Sequence, residues 1–408
     1  MKIDLDPSKK YLLACSFGPD SMALFSLLKE QGYTFEVAHV NYNMRSESLD
    51  EMTKLNEYCK ENGIIFHVLQ VHYVKENINF QKWARDVRYS FFKQVIEKNE
   101  IDILLTGHQQ DDLIETYLMQ TASNREVGYF GIKPCIKLFG LEVRRPLLDF
   151  SKQALLDYCE SHHIPFSIDK SNLLPKYTRN RIRLNIVNRL DQRERQSILE
   201  EIQQKNDLSE ALSCNVKQLI GEREYVHIDD YLKLTLVERK RLVYLLFERN
   251  DFSESYTRGL FNRIDSILSS HKTSTLVSIK NNFALCVFYG LFTVVDKNQF
   301  SSYEGTITFS SLRFSNRYVD YNLEGELSKL GISKDDFPLI IRTYKKGDKY
   351  QIKDYRKPIN RLFIDMKMPK HIRLIWPILT NNKGQIIYVP RYRSGYVEKE
   401  KNKLKVLL

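Results

Sequence analysis

A chain of 408 residues, 42% of them hydrophobic, exceeds what one core usually serves, so two or three domains are expected. No apolar run approaches the roughly 18 residues of a membrane helix, and the opening MKIDLDPSKK lacks the cleavage region of a secretory leader, so a cytoplasmic protein is expected. The formal net charge of +11 is unevenly placed: residues 331–408 hold 19 Lys and Arg against 7 Asp and Glu, leaving 43 basic and 44 acidic residues before them. Such a basic end suits a polyanion, because bound Lys and Arg release its condensed counterions; on charge alone a surface kept for solubility reads almost as well. Cys15, Cys59, Cys135, Cys159, Cys214 and Cys286 form no C-x-x-C pair and have no histidine at zinc spacing, which points to reduced, mostly buried thiols.

The first 170 residues alternate short apolar runs with longer amphipathic stretches, the pattern of βα units on a parallel sheet. Strands are predicted at 11–15, 35–41, 64–69 and 103–106, and helices starting near Asp20, Glu47, Phe80 and Asp111. In open α/β sheets ligands bind outside the strand ends, so the chemistry is expected in the loops there. From about Ile182 to Asp265 charged helical sequence such as QRERQSILEEIQQKN predominates, and later segments such as EGTITFSSLRFSN and QIIYVPRYRSGYV read as strands and turns. The fold class is therefore α/β: a parallel-sheet N-terminal domain over 1–190, a mainly helical middle domain with some strands over 191–325, and a small, basic α+β C-terminal domain over 331–408.

The first predicted strand runs into Ser16-Phe17-Gly18-Pro19-Asp20-Ser21. A strand, a tight loop and a helix start make an anion site, because free backbone N–H groups converge there with the positive end of the helix dipole. Ser16 and Ser21 add hydroxyls, and Gly18 lets backbone approach a phosphate closely. Asp20 would repel a bare phosphate, so its use implies Mg2+ or a neighbouring cation. An ordinary capped helix explains the stretch as well, and with no lysine after the glycine it is not the G-x-x-x-x-G-K-S/T phosphate loop.

The fourth strand leads into TGHQQDDLIET, residues 106–116. Asp112 and Glu115 are three apart and Asp111 and Glu115 four apart, so the carboxylates share a helix face. Like charges so placed repel, and the helix dipole offsets this only in part; a cation is wanted, either a metal or an ammonium substrate. His108 suits phosphate contact or proton transfer, or is a structural loop histidine; three acids beside it after a strand end favour a site.

In QKWARDVRYSFF, residues 81–92, Arg85 and Arg88 lie about one turn apart, and Trp83 and Phe92 are expected to pack. An arginine delivered to the site could stabilise charge on a transferring phosphoryl group; without context, arginines paired with solvent-facing acids read better. Asp169-Lys170-Ser171-Asn172 and Tyr177-Thr178-Arg179-Asn180-Arg181-Ile182-Arg183 place an arginine at every second position from Arg179 to Arg183. That density suits phosphate or nucleic-acid contact, or a solvated basic helix start.

In order and spacing these segments together resemble a known family. The loop 16–21 is similar to the S-G-G-x-D-S loop of the N-type ATP pyrophosphatases, which adenylate a carbonyl oxygen and release pyrophosphate. G-H-x-x-D-D-x-x-E-T from Gly107, A-R-x-x-R-Y from Ala84 and S-N…Y-x-R-N-x-I-R from Ser171 narrow the resemblance to the bacterial tRNA(Ile)-lysidine synthetases. Lys346-Gly347-Asp348, Leu362-Phe363-Ile364-Asp365-Met366-Lys367-Met368-Pro369 and Trp376-Pro377-Ile378 resemble that family's C-terminal tRNA-binding domain. One position departs: Phe17 stands where the family's loop has its first glycine, and if that position needs φ > 0 a phenylalanine there is strained.

The resemblance implies that ATP adenylates O2 of the wobble cytidine of an isoleucine tRNA with a CAU anticodon, and that the ε-amine of free L-lysine then displaces AMP. It implies that Ser16, Phe17, Gly18, Pro19, Asp20 and Ser21 hold ATP, with Asp20 on Mg2+, and that Asp112 and Glu115 bind lysine. Asp20, Arg88, His108 and Asp112 would be the catalytic residues; Arg179, Arg181, Arg183 and Lys367 would contact tRNA; a homodimer stays open. Two other readings compete. A tRNA thiolase of the same superfamily is disfavoured by the isolated cysteines, because such enzymes commonly need reactive thiols or a cluster. A non-catalytic RNA-binding protein with a degenerate loop is disfavoured by the intact acidic turn.

Overall fold

Tyr11, Leu12 and Leu13 in the first strand, β1 (Lys10–Ala14), are fully buried. A strand apolar on both faces belongs in the middle of a sheet covered on both sides. Tyr11 and Leu13 pack into one core and Leu12 into another on the opposite face. The computed structural model describes residues 1–44, 47–73, 80–123, 125–168, 178–221, 223–250, 256–270, 274–280, 282–352, 354–391 and 404–406, and divides into two units, Met1–Ser209 and Glu210–Leu408.

In the first unit β1 is followed by α1 (Pro19–Glu30), β2 (Thr34–Asn41), α2 (Glu47–Glu61), β3 (Phe66–Gln70), α3 (Phe80–Lys98), β4 (Ile103–Thr106) and α4 (Gln110–Thr121). A hairpin of β5 (Cys135–Leu138) and β6 (Leu141–Arg144) leads to α5 (Lys152–Ser161), α6 (Thr178–Asn185) and the start of α7 (Gln192–Ile220). The predicted strand and helix starts fall within two residues of these. The six strands form one sheet in the order β3-β2-β1-β4-β6-β5, parallel except for the last.

Ala14 lies opposite Ala38 on one side and Thr106 on the other, so the loops after β1 and β4 leave the sheet side by side. The chain steps from β1 to β2 in one direction and takes up β4 in the other. Such a switch point opens a crevice outside the strand ends. Pro19 suits the first helical position, and α1 then buries eight consecutive residues, from Ser21 to Leu28, because it packs on β1 and β2 and is covered by α5.

In the second unit helices Leu236–Arg249 and Arg258–Ser269 share a core with the antiparallel strands Phe283–Phe288 and Leu291–Asp296. A separate sheet holds Glu304–Ile307, Leu339–Thr343, Pro377–Thr380 and Ile386–Tyr388. The C-terminal motif residues mostly build this region: Phe363, Met368 and Ile378 are fully buried, the Trp376 indole donates to the Pro390 carbonyl at 3.0 Å, and Asp348 takes a two-pronged pair from Arg342 at 2.8 and 2.9 Å. Lys367 is exposed, its ammonium 5.9 Å from the Tyr289 ring centre. All six cysteines are free thiols, and no helix among the described residues is long and apolar enough to cross a membrane.

Candidate active site

After β1 the chain turns through Ser16, Phe17 and Gly18 into α1. The left-handed residue of this turn is Phe17, with φ of 65°, while Gly18 is extended at φ −82° and ψ 162°. A non-glycine residue in the left-handed region costs about 1–2 kcal/mol. Offsetting this, the Phe17 ring is 2% exposed within the main core, a burial that contributes roughly 2–3 kcal/mol, and its carbonyl accepts the Ser167 N–H at 2.9 Å. The aromatic side chain pins a loop that a glycine would leave unanchored. Ser21 closes the turn, donating to the Gly18 carbonyl at 2.9 Å and accepting the Ser16 N–H at 3.3 Å.

Asp20 stands half-buried at the helix start, and its shielded Oδ1 has no hydrogen-bond partner among the described residues. Burial pushes its carboxyl up to about 7; the Asp112 carboxylate adds to the rise, and Lys152 and Arg183 oppose it. Among the described residues no cation is bonded to this acid, although the charges of Lys152 and Arg183 reach it.

Gly107 brings the second loop against the first. A Cβ there would lie 3.1 Å from the Ser21 nitrogen and 3.2 Å from the Asp20 carbonyl carbon, so glycine permits an approach that any side chain would push apart. His108 follows, with Nδ1 2.8 Å from the Thr106 hydroxyl. Burial, aided by the charges of Arg145, Arg179, Arg88 and Arg85, pushes its imidazole down to about 3, so it is neutral at physiological pH. α4 then opens on a reciprocal cap: the Gln109 side chain accepts the Asp111 N–H, and Asp112 Oδ2 accepts the Gln109 N–H at 3.2 Å.

All three acids of α4 are paired within the chain. Glu115, fully buried, accepts Arg179 Nε at 2.8 Å and Arg183 Nη2 at 3.1 Å on one oxygen and Arg183 Nε on the other. Asp112 Oδ1 lies 3.3 Å from Arg183 Nη2 and 3.6 Å from Arg179 Nη2. Asp111 accepts from Arg195 Nη1 at 2.7 Å, and Arg195 Nη2 donates to the Val187 carbonyl. The cation that the acidic turn demands is thus supplied by guanidiniums of α6 and α7. Arg179 and Arg183, four apart, reach α4 from one helix face, whereas Arg181 between them is exposed.

Arg88 is exposed on α3, and its charge acts on His108. Trp83 and Phe92 do not pack together: nine residues at about 100° each set them on opposite helix faces. Trp83 joins Tyr42, Tyr73 and Phe80, and Phe92 joins Tyr89 and Phe91. Asp169, Lys170, Ser171, Asn172 and Tyr177 lie outside the described residues.

Three further cations were not read from the sequence. Lys152 opens α5 directly after the capping Ser151; a cation at the positive end of a helix dipole is locally unfavourable, and that conflict is its signal. Arg145 is half-buried, its Nη1 donating to the Lys133 carbonyl at 2.6 Å and its Nε without a partner among the described residues. Arg195 has no local signal, since its partner Asp111 is 84 residues away. Among the described residues no group of three or more His, Cys, Asp or Glu side chains forms a metal cage. The orphaned Asp20 oxygen fits a Mg2+ ion that arrives with phosphates, as that ion usually does.

Residues 2–190 match the protein family described as a PP-loop domain. Along nearly the whole chain there is similarity to a tRNA(Ile)-lysidine synthase of Mycoplasma mycoides, 28% identical over 396 residues that cover 94% of this chain and 97% of that protein. A tRNA(Ile)-lysidine synthase of Staphylococcus aureus (strain COL) is 28% identical over 402 residues, covering 93% of this chain and 92% of that one. Among solved structures, a tRNA thiolase of Methanococcus maripaludis covers 50% of this chain and 73% of its own at 17% identity and a TM-score of 0.40.

Proposed function

We propose, on the premise that this chain belongs to the tRNA(Ile)-lysidine synthetase family of PP-loop proteins, that it attaches L-lysine to the wobble cytidine of the isoleucine tRNA bearing a CAU anticodon, in the cytoplasm and at the expense of ATP. An amide-type oxygen leaves poorly and AMP leaves well. The cytidine O2 therefore attacks the α-phosphorus of ATP and releases pyrophosphate; the lysine ε-amine then adds to the neighbouring ring carbon, loses its extra proton, and AMP departs. The observation that carries this reading is the apposition of two loops at the β1/β4 switch point, with Gly107 against the backbone of Asp20 and Ser21.

Backbone N–H groups at the start of α1, with the Ser16 and Ser21 hydroxyls, would take the phosphates. Asp20, one oxygen of which wants a cation, would hold the Mg2+ that neutralises charge on them. Arg88 would stabilise negative charge as the phosphoryl group transfers. Neutral His108 would give or accept a hydrogen bond beside the reacting phosphate. Asp112 and Glu115 would receive the charged groups of lysine, and the exposed Arg181 and Lys367, with the basic residues 331–408, would meet tRNA phosphates.

The full chain incubated with ATP, magnesium, labelled lysine and a CAU-anticodon tRNA transcript tests this. Lysine on the RNA with one AMP formed per lysine is the expected result. Sulfur transfer would select a thiolase, and RNA binding without AMP a non-catalytic protein.

A further inference from the structure

Glu115 and Asp112 carry two negative charges, and Arg179 and Arg183 set two positive ones within 3.6 Å of them. The quartet is neutral. Glu115 has no exposed surface, and its two oxygens already accept three guanidinium N–H groups of roughly four they can take. Asp112 gives its second oxygen to the α4 cap. An ammonium arriving at this turn meets no net charge and almost no open acceptor, so lysine enters only if a guanidinium leaves.

The two arginines differ in how readily they leave. The Arg183 side chain is 18% exposed and that of Arg179 41%, and Arg179 lies in the first turn of α6. A guanidinium grips phosphate through paired, charge-assisted donors, so a phosphate beside α6 offers Arg179 a partner at least as good as a carboxylate. The charge of Arg183, which pairs with the acidic helix, also acts on Asp20 in the phosphate loop.

We propose that Arg179 and Arg183 form a cation latch, holding the lysine carboxylates closed in the free protein and releasing them when a phosphate anion draws a guanidinium away. The proposal rests on the assignment of Asp112 and Glu115 to lysine. The phosphate is that of ATP or of the tRNA backbone. Coupling of this kind is reciprocal: the factor by which phosphate tightens lysine is the factor by which lysine tightens phosphate.

Equilibrium dialysis of labelled lysine against the full chain tests it in four arms: protein alone, with a non-hydrolysable ATP analogue and magnesium, with the unmodified tRNA transcript, and with both. Lysine affinity should rise about 10-fold or more in one phosphate arm, which names the source. Arg179→Gln should tighten lysine binding to the free chain several-fold and shrink the phosphate effect, while Arg179→Lys should restore it. A plain rivet for Glu115 predicts the opposite sign, weaker lysine binding for Arg179→Gln in every arm, and that result overturns the latch, as does equal affinity in all four wild-type arms. Glu115→Gln and the partly exposed, better tolerated Asp112→Asn, both measured with the two phosphate ligands present, probe the underlying assignment. Unchanged lysine affinity in both variants sinks that assignment, whereas loss there with no gain from Arg179→Gln sinks the latch alone.

Discussion

Two loops leave neighbouring strands at one end of the sheet, yet they keep their acids in opposite states. Asp20, after β1, has a shielded oxygen with no hydrogen-bond partner among the described residues and a carboxyl pushed up to about 7. Asp112 and Glu115, after β4, are surrounded by guanidiniums. The first loop itself offers only neutral donors, the backbone and two hydroxyls, and the charges of Lys152 and Arg183 offset the burial of its acid only in part. The second is covered by α6 and α7, which bring arginines from more than 60 residues away. Charge state at a sheet edge is set less by the strands than by what later sequence folds back over it.

The contrast can be broken most forcefully at Glu115. Glu115→Ala leaves two guanidiniums facing a buried gap, and urea unfolding should show a loss of about 3–5 kcal/mol. Asp20→Asn should do the reverse. A folded carboxyl near 7 against an unfolded one at 3.8 means the folded chain binds more protons between those values, so wild-type stability falls as pH rises through that window. The loss is at most about 4 kcal/mol. Asp20→Asn removes that slope: thermal midpoints of the ligand-free chain should be higher for the variant at pH 8, with the gap closing toward pH 5. Equal midpoints at both pH values would mean that Asp20 is not strained by its burial.

Smaller effects sharpen the comparison in the first loop. Phe17→Gly relieves about 1–2 kcal/mol of backbone strain but removes a buried ring of about 3–5 kcal/mol, so stability should fall by roughly 1–4 kcal/mol in urea. A stabilised variant would show that the ring does not anchor the turn. Gly107→Ala must push the Asp20–Ser21 backbone by a few tenths of an ångström. It should cost about 1–2 kcal/mol and raise the KM for ATP several-fold with a smaller change in kcat.

Much of this site is legible in the sequence. The strands at the switch point announce themselves as short apolar runs because both sheet faces are covered, and the helix starts follow from Pro19 and the acidic turn. The resemblance picked out the Phe17 position as the irregular one, and Phe17 does take the left-handed conformation, with its ring buried in compensation; that burial depends on tertiary packing and has no local trace. The arginines of α6 were read for their density. Their helical spacing also places Arg179 and Arg183 on one face, matching the Asp112 and Glu115 stripe, and only Arg181 outward. What pairs with that face is a long-range fact that periodicity does not supply, and Arg195 on Asp111 is of the same kind.

The sharpest test separates the two loops by the half-reaction each is given. Pyrophosphate release from ATP should be followed with tRNA present and lysine absent, then with lysine added, for Asp20→Asn and Glu115→Gln side by side. Asp20→Asn should lose pyrophosphate release and lysine transfer together. Glu115→Gln should keep pyrophosphate release within several-fold of wild type and lose lysine transfer by about 100-fold or more. Equal loss of pyrophosphate release in both variants, or in neither, would contradict the division of labour between the phosphate loop and the acidic helix.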